Sequence, residues 1–205
     1  HLSERPGESE LAARIYSYEL AYRMQTAAAE TVDLAKESPK TLERYGINNK
    51  LTADFGRKCL ITRRLLERGV RFVQIFHRGW DQHGSLPRDL ASQCKDVDQP
   101  CYGLITDLKQ RGLLQDTLVV WCTEFGRMPF FQKGAQGRDH NPDGFTCWLT
   151  GAGVKPGVSH GATDDLGQRV PEMRSSKCQD GIGQTSHPRR AFLFALSDKM
   201  IGHLC

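Results

Sequence analysis

The sequence predicts an α/β fold, a mostly parallel sheet flanked by helices, on three observations. Residues 70–76 (Val-Arg-Phe-Val-Gln-Ile-Phe) and 117–123 (Thr-Leu-Val-Val-Trp-Cys-Thr) are short runs rich in β-branched and aromatic residues, which suit a strand. Between them, Leu90, Cys94, Val97, Cys101, Leu104 and Leu108 recur at steps of four and three, the stripe of a helix that buries one face. Strand, helix and strand at this spacing make a βαβ unit, which implies parallel strands and a right-handed crossover.

The remaining elements follow from local signals. Leu11, Ile15, Tyr18 and Tyr22 predict a helix over residues 8–36. Ser38-Pro39, Gly46 and Asn48-Asn49 mark a loop over 37–50, with room for one helical turn. Thr52 is placed to N-cap a helix that runs to about Arg68, where Gly69 stops it in the left-handed conformation. Residues 77–87 read as a loop. The helix over about 88–111 contains Pro100, which should kink or split it. The run 117–123 is almost wholly apolar, so it reads as a central strand buried on both faces. A long loop over 124–144 leads to a third strand at 145–150. From Gly151 the chain turns rich in Gly, Ser and Gln, until Ala191-Phe192-Leu193-Phe194-Ala195-Leu196 offers a helix extending to His203. The organisation read from this is an α/β domain over 1–165 and a divergent tail over 166–205.

Composition excludes several classes. With 39% hydrophobic and 25% charged residues the chain can bury a core and is not of the disordered type. No run of about 18 apolar residues predicts a membrane span. A net charge of +4 without a block of like charges is too mild to argue for nucleic acid. The seven cysteines form no Cys-x-x-Cys pair and read as small buried hydrophobes, with a zinc-thiolate cluster or a disulfide framework as the alternative. The chain opens on His1 with no basic and apolar leader, which reads as a fragment or a processed product.

Chemistry-bearing residues gather in three places. Trp80-Asp81-Gln82-His83-Gly84 follows the first strand, and in an extended backbone Asp81 and His83, two apart, point the same way. Glu124-Phe125-Gly126-Arg127 follows the second strand, and Gly137-Arg138-Asp139-His140-Asn141-Pro142 precedes the third. Ligands of open α/β sheets bind outside the carboxyl ends of the strands, where these segments emerge. Asp81, His83, Glu124, Asp139 and His140 supply three oxygen and two nitrogen ligands, a set suited to zinc, manganese or iron and poorly suited to copper-thiolate chemistry. His77 and Asp143 stand in reserve. Arg78, Arg127 and Arg138 flank the same segments and can clamp a phosphate or sulfate with paired hydrogen bonds. Taken singly, each residue has a plain structural use: a cap, a solvated charge, a satisfied loop histidine. The phosphate-binding loop, the nucleophile elbow and the His-Glu-x-x-His motif are missing from the sequence.

Over residues 13 to about 165 the chain resembles bacterial proteins of domain-of-unknown-function family 1501, in the alkaline phosphatase and sulfatase superfamily. The resemblance rests on Tyr18-Glu19-Leu20-Ala21-Tyr22-Arg23-Met24-Gln25, Gly69-Val70-Arg71-Phe72-Val73-Gln74 and His77-Arg78-Gly79-Trp80-Asp81-Gln82-His83-Gly84. Asp107-Leu108-Lys109-Gln110-Arg111-Gly112-Leu113-Leu114, Glu124-Phe125-Gly126-Arg127, Gly137-Arg138-Asp139-His140-Asn141-Pro142 and His160-Gly161-Ala162-Thr163-Asp164-Asp165 extend it. It implies a partial alkaline phosphatase-like fold and hydrolysis of phosphate or sulfate esters at a divalent-metal site. Asp81 and His83 would be a ligand pair, Glu124 an acidic ligand after a central strand, and Asp139 and His140 the completion of the cluster. Arg127 or Arg138 would bind the anionic ester. The resemblance also implies that the superfamily's nucleophile and a further metal-binding aspartate lie in an N-terminal part absent here, that the pattern is left after about Leu166, and that such proteins are exported to the periplasm. The expected function is a metal-dependent, ester-hydrolase-like domain. The alternatives are a non-catalytic module for sulfated or acidic glycans and an incomplete product with no function of its own.

Overall fold

The computed structural model describes residues 8–170 and 190–195. The chain divides into two units, residues 1–38 and 39–205. The first contains helix α1 (Glu8–Val32), four residues shorter than the sequence predicts. Its apolar repeat does not mark a buried face: Leu11, Ile15, Tyr18 and Tyr22 are all exposed.

The second unit contains α2 (Pro39–Arg44), α3 (Ala53–Glu67), β1 (Phe72–Phe76), α4 (Leu86–Gln110), β2 (Thr117–Cys122), β3 (Gly126–Arg127), β4 (His140–Asn141), β5 (Trp148–Gly151) and β6 (Arg190–Ala195). Thr52 stands at the N-cap position of α3, but its hydroxyl donates to the Gly46 carbonyl at 2.6 Å and caps nothing. Gly69 and Gly112 follow α3 and α4 with φ of +85° and +70°, the left-handed turn-off that glycine adopts without strain.

The core lies between α3, α4 and the sheet. Phe55, Cys59, Leu60 and Leu66 of α3 meet Val97, Cys101, Leu104 and Leu108 of α4, with Ile75 and Val119 from the strands, all buried. Each such side chain contributes roughly 1.5–3 kcal/mol by leaving water. The α4 stripe is buried only from Val97 onward; Leu90 and Cys94 are exposed. The helix continues unbroken through the buried Pro100, which therefore does not split it. The five described cysteines are free, and burial pushes the Cys101 thiol up to about 12, so it packs as an inert hydrophobe. Cys178 and Cys205 lie outside the described residues.

The main sheet has the order β1-β6-β2-β5. β6 runs parallel to both β1 and β2, and β5 runs antiparallel to β2, so the fold is a mixed α/β one. β6 corrects the helix expected at 191–203. A short apolar run cannot be assigned to helix or strand by periodicity alone, and here it pairs on both sides between β1 and β2. Residues 196–203 of that expected helix lie outside the described residues. β2 is not buried on both faces: Thr117 and Val119 are buried, while Leu118 and Val120 are partly open. The expected long loop over 124–144 contains a second, two-stranded sheet, β3 against β4. Among the described residues no helix is long and apolar enough to cross a membrane.

Register positions the site. Phe76, the last residue of β1, and Cys122, the last of β2, both pair with Ala195. The two strands thus end level, and the segments that follow them leave the same rim of the sheet.

Candidate functional site

The segment after β1 and the hairpin after β2 are laced together by backbone contacts. The Arg138 amide donates to the Gln82 carbonyl at 3.1 Å, and the Leu86 amide donates to the Gln136 carbonyl at 2.9 Å. Gly137 sits at the crossing. A Cβ there would overlap the Gln82 and His83 carbonyls, which explains the glycine of the Gly137-Arg138-Asp139-His140 motif as a close-approach residue. In the short ladder, Arg127 of β3 pairs directly with His140 of β4, so both side chains share one face.

That face meets Asp81 and His83. Asp81 Oδ1 lies 3.0 Å from His83 Nε2 and 2.9 Å from His140 Nε2, and the two Nε2 atoms are 3.0 Å apart. The backbone between Asp81 and His83 is not the extended one expected, since the His83 amide donates to the Asp81 carbonyl at 3.1 Å. The tighter turn still brings both side chains to one point. Arg127 Nη2 donates to Asp81 Oδ1 at 2.6 Å and to the Trp80 carbonyl at 3.1 Å, while Nη1 donates to the Arg138 carbonyl at 3.2 Å. The hydrogen bond from Arg127, then that from His140, holds the Asp81 carboxyl well below the usual carboxylate range. The Phe125 ring packs against the His140 imidazole at 4.2 Å between centroids, and the Arg127 guanidinium lies 5.8 Å from the same ring.

Three atoms that can each offer a lone pair, two imidazole nitrogens in the right tautomer and a carboxylate oxygen, thus form a triangle with sides near 3 Å. Hydrogen bonding alone satisfies such a triangle poorly, because each neutral imidazole brings only one proton. A shared divalent cation satisfies it well. Ligand atoms bonded to zinc at about 2.0–2.1 Å, at octahedral to tetrahedral angles, lie about 2.9–3.4 Å from one another. The donor set and its spacing fit such an ion.

Of the five expected ligands, the fold brings together Asp81, His83 and His140. Among the described residues Glu124 and Asp139 are not in that group. Asp139 is exposed and spends Oδ1 on its neighbour, accepting the His140 amide at 2.8 Å. Glu124 stands in the turn closed by the Thr123 hydroxyl on the Phe125 carbonyl at 2.6 Å. Arg127 commits both terminal nitrogens to Asp81 and to backbone carbonyls, so it braces the cluster. Arg138 differs: its Nε is buried and, among the described residues, has no hydrogen-bond partner. Arg78 lines an open groove between α3 and β1. His77 is engaged elsewhere, accepting from Trp80 Nε1 at 2.9 Å through Nδ1. Asp164, in the last motif of the resemblance, holds the Gln168 and Arg169 amides at 2.7 and 3.2 Å and so closes a turn.

Sequence reasoning missed Gln132, whose Oε1 lies 3.0 Å from His83 Nδ1. A lone glutamine in a loop carries no motif, so no sequence signal points to it.

No curated protein and no solved structure matches the chain significantly. A family model does, over residues 1–180, past the boundary near Leu166 drawn above; it is described as a protein of unknown function, DUF1501. The chain belongs to the DUF1501 family.

Proposed function

We propose that this chain is a metal-dependent, hydrolase-like domain that acts on phosphate or sulfate esters, built on a partial alkaline phosphatase-like fold. The observation that carries the reading is the near-equilateral meeting of Asp81 Oδ1, His83 Nε2 and His140 Nε2 at one exposed rim. These residues would hold zinc, manganese or a similar divalent ion. Such an ion, when bound, supplies Lewis acidity to an ester oxygen.

The chain's own residues supply the rest. Arg127 keeps Asp81 ionised and aimed, so its lone pairs stay available. Phe125 and the β3–β4 register hold the His140 ring in place. Arg138, which flanks the cluster beside Gln82, would bind the anionic oxygens of the ester through its guanidinium. Paired with a cation, it would stabilise charge as the group transfers. The reading assigns this chain the metal-holding and anion-binding parts and assigns it no nucleophile.

Calorimetric titration with zinc and with manganese tests it. The wild type should bind one equivalent, and the His83→Ala/His140→Ala double variant should lose that binding. Equal, weak binding by both sinks the reading. Aryl sulfates and aryl phosphates then give the chemistry: turnover that disappears with a chelator supports hydrolysis. The second reading is a module that holds sulfated glycans through Arg138 without cleaving them. Glycan binding with no turnover would select it.

A further inference from the structure

We propose that Gln132 is a positioning residue for His83, locking the imidazole tautomer that turns the Nε2 lone pair toward Asp81 and His140; its role toward a metal rests on the reading above. A neutral imidazole has one N–H and one lone pair. The Gln132 side-chain carbonyl oxygen, 3.0 Å from His83 Nδ1, can only accept, so it draws the proton to Nδ1 against the competing pull of the Asp81 carboxylate, 3.0 Å from Nε2. Nε2 is then left as the acceptor, and Nε2 is the atom in the triangle with Asp81 and His140. Metal-binding histidines commonly donate their second ring N–H in this way, which fixes ring orientation and raises ligand basicity.

The glutamine is held for this purpose by its own loop. Its amide donates to the Gly137 carbonyl at 2.8 Å, and its carbonyl accepts the Ala135 amide at 3.0 Å, closing residues 132–137 into a tight turn. That turn is strapped to the His83 segment from both sides, by Leu86 to Gln136 at 2.9 Å and by Arg138 to Gln82 at 3.1 Å. Gly137 allows the approach, since any side chain there would strike the His83 carbonyl. The backbone that carries Gln132 is therefore braced against the backbone that carries His83. Gln132 is itself exposed, so a substitution removes the hydrogen bond and leaves the core untouched.

Two measurements on the full chain test the proposal. Long-range proton–nitrogen NMR of the metal-free protein should show His83 protonated at Nδ1 in the wild type. It should move toward Nε2 protonation in Gln132→Leu and stay at Nδ1 in Gln132→Glu, whose carboxylate is also an acceptor. Zinc titration should show Gln132→Leu weakened about 10- to 100-fold and Gln132→Glu restored to near the wild-type value. A purely structural role would move neither the tautomer nor its rescue. A wild-type His83 protonated at Nε2, or an unchanged tautomer in Gln132→Leu, overturns the positioning. A tautomer that behaves as expected in a wild type that binds neither zinc nor manganese overturns the metal reading instead, and with it the metal role of Gln132.

Discussion

Asp107 and Asp81 are both surrounded by cationic or proton-bearing groups, yet the two regions they organise differ in kind. Asp107, in the last turn of α4, has a side chain only 5% exposed. Its Oδ2 accepts from the Tyr45 hydroxyl at 3.0 Å and lies 3.3 Å from Arg63 Nε, while its Oδ1 accepts from Arg111 Nε at 2.8 Å. Glu67 closes the network, taking Arg63 and Arg111 at 2.7 Å each. The guanidinium groups can only donate, and the Tyr45 hydroxyl, whose pKa is raised first by burial and then by Asp107, stays protonated. These contacts pin α3, α4 and the segment after α2 together. Asp81 is 51% exposed, and two of its neighbours are imidazoles that carry lone pairs of their own. The first arrangement sets its carboxylates against donors alone; the second, on the reading proposed above, would be completed by a cation. Burial and the balance of donors to lone pairs, more than charge count, separate a structural ion network from a binding one.

The largest effect should come from breaking the buried region. Asp107→Ala leaves Arg63 and Arg111 facing a cavity, and removing one partner of a buried pair costs about 3–5 kcal/mol. Urea unfolding should show that loss as a lower midpoint with the slope preserved. A change under about 1 kcal/mol would mean that the network is as dispensable as a surface pair, and the contrast drawn here would fail.

The mirror experiment is Asp81→Asn. Stability should stay within about 0.5 kcal/mol, since the side chain is half in solvent and exposed pairs contribute little. Zinc binding should fall by at least about tenfold, because the amide presents a neutral oxygen in place of a carboxylate. A large stability loss with binding intact would reverse the assignment of the two regions. The pH dependence has a definite sign. With its carboxyl held below the usual range, Asp81 contributes its small stabilisation above the unfolded value near 3.9. That contribution is lost only as the pH falls below this value and through the lower folded one.

The contrast also explains what could be read in the sequence. The α4 period and the apolar run of β2 were visible because many neighbouring residues repeat one signal. The three segments of the site were visible because parallel strands must deliver their following loops to one rim. β3 and β4, two residues each, are too short to carry a period, and β6 is an apolar run whose neighbours alone decide its type. The Asp107 network joins residues up to 62 positions apart and looks, in sequence, like scattered surface charge. Sequence position could place Glu124 and Asp139 near the rim, but it could not show that Asp139 faces its neighbour's amide. Ligand geometry depends on turns that composition does not encode.

The smallest expected effect sharpens the border between the regions. His77 packs between the core and the rim, edge-on to Phe55 of α3 at 5.1 Å and to Trp80 at 5.8 Å. Burial lowers its pKa, with Asp96 of α4 opposing as the nearest acid at 3.8 Å and Lys58 and Asp54 of α3 contributing less. Its Nδ1 accepts the Trp80 N–H, which a protonated ring cannot do. Because the folded value lies below the unfolded one near 6.5, the unfolded chain takes up the proton first. Stability is therefore full above that pH and declines as the pH falls from it toward the folded value. His77→Asn keeps an acceptor near the Nδ1 position but cannot titrate. Its stability should fall less between pH 7 and pH 5 than that of the wild type, with the difference followed by tryptophan fluorescence during urea unfolding. Parallel pH curves for the two proteins would show that His77 is neutral to folding, and that the rim's aromatic support is independent of its protonation.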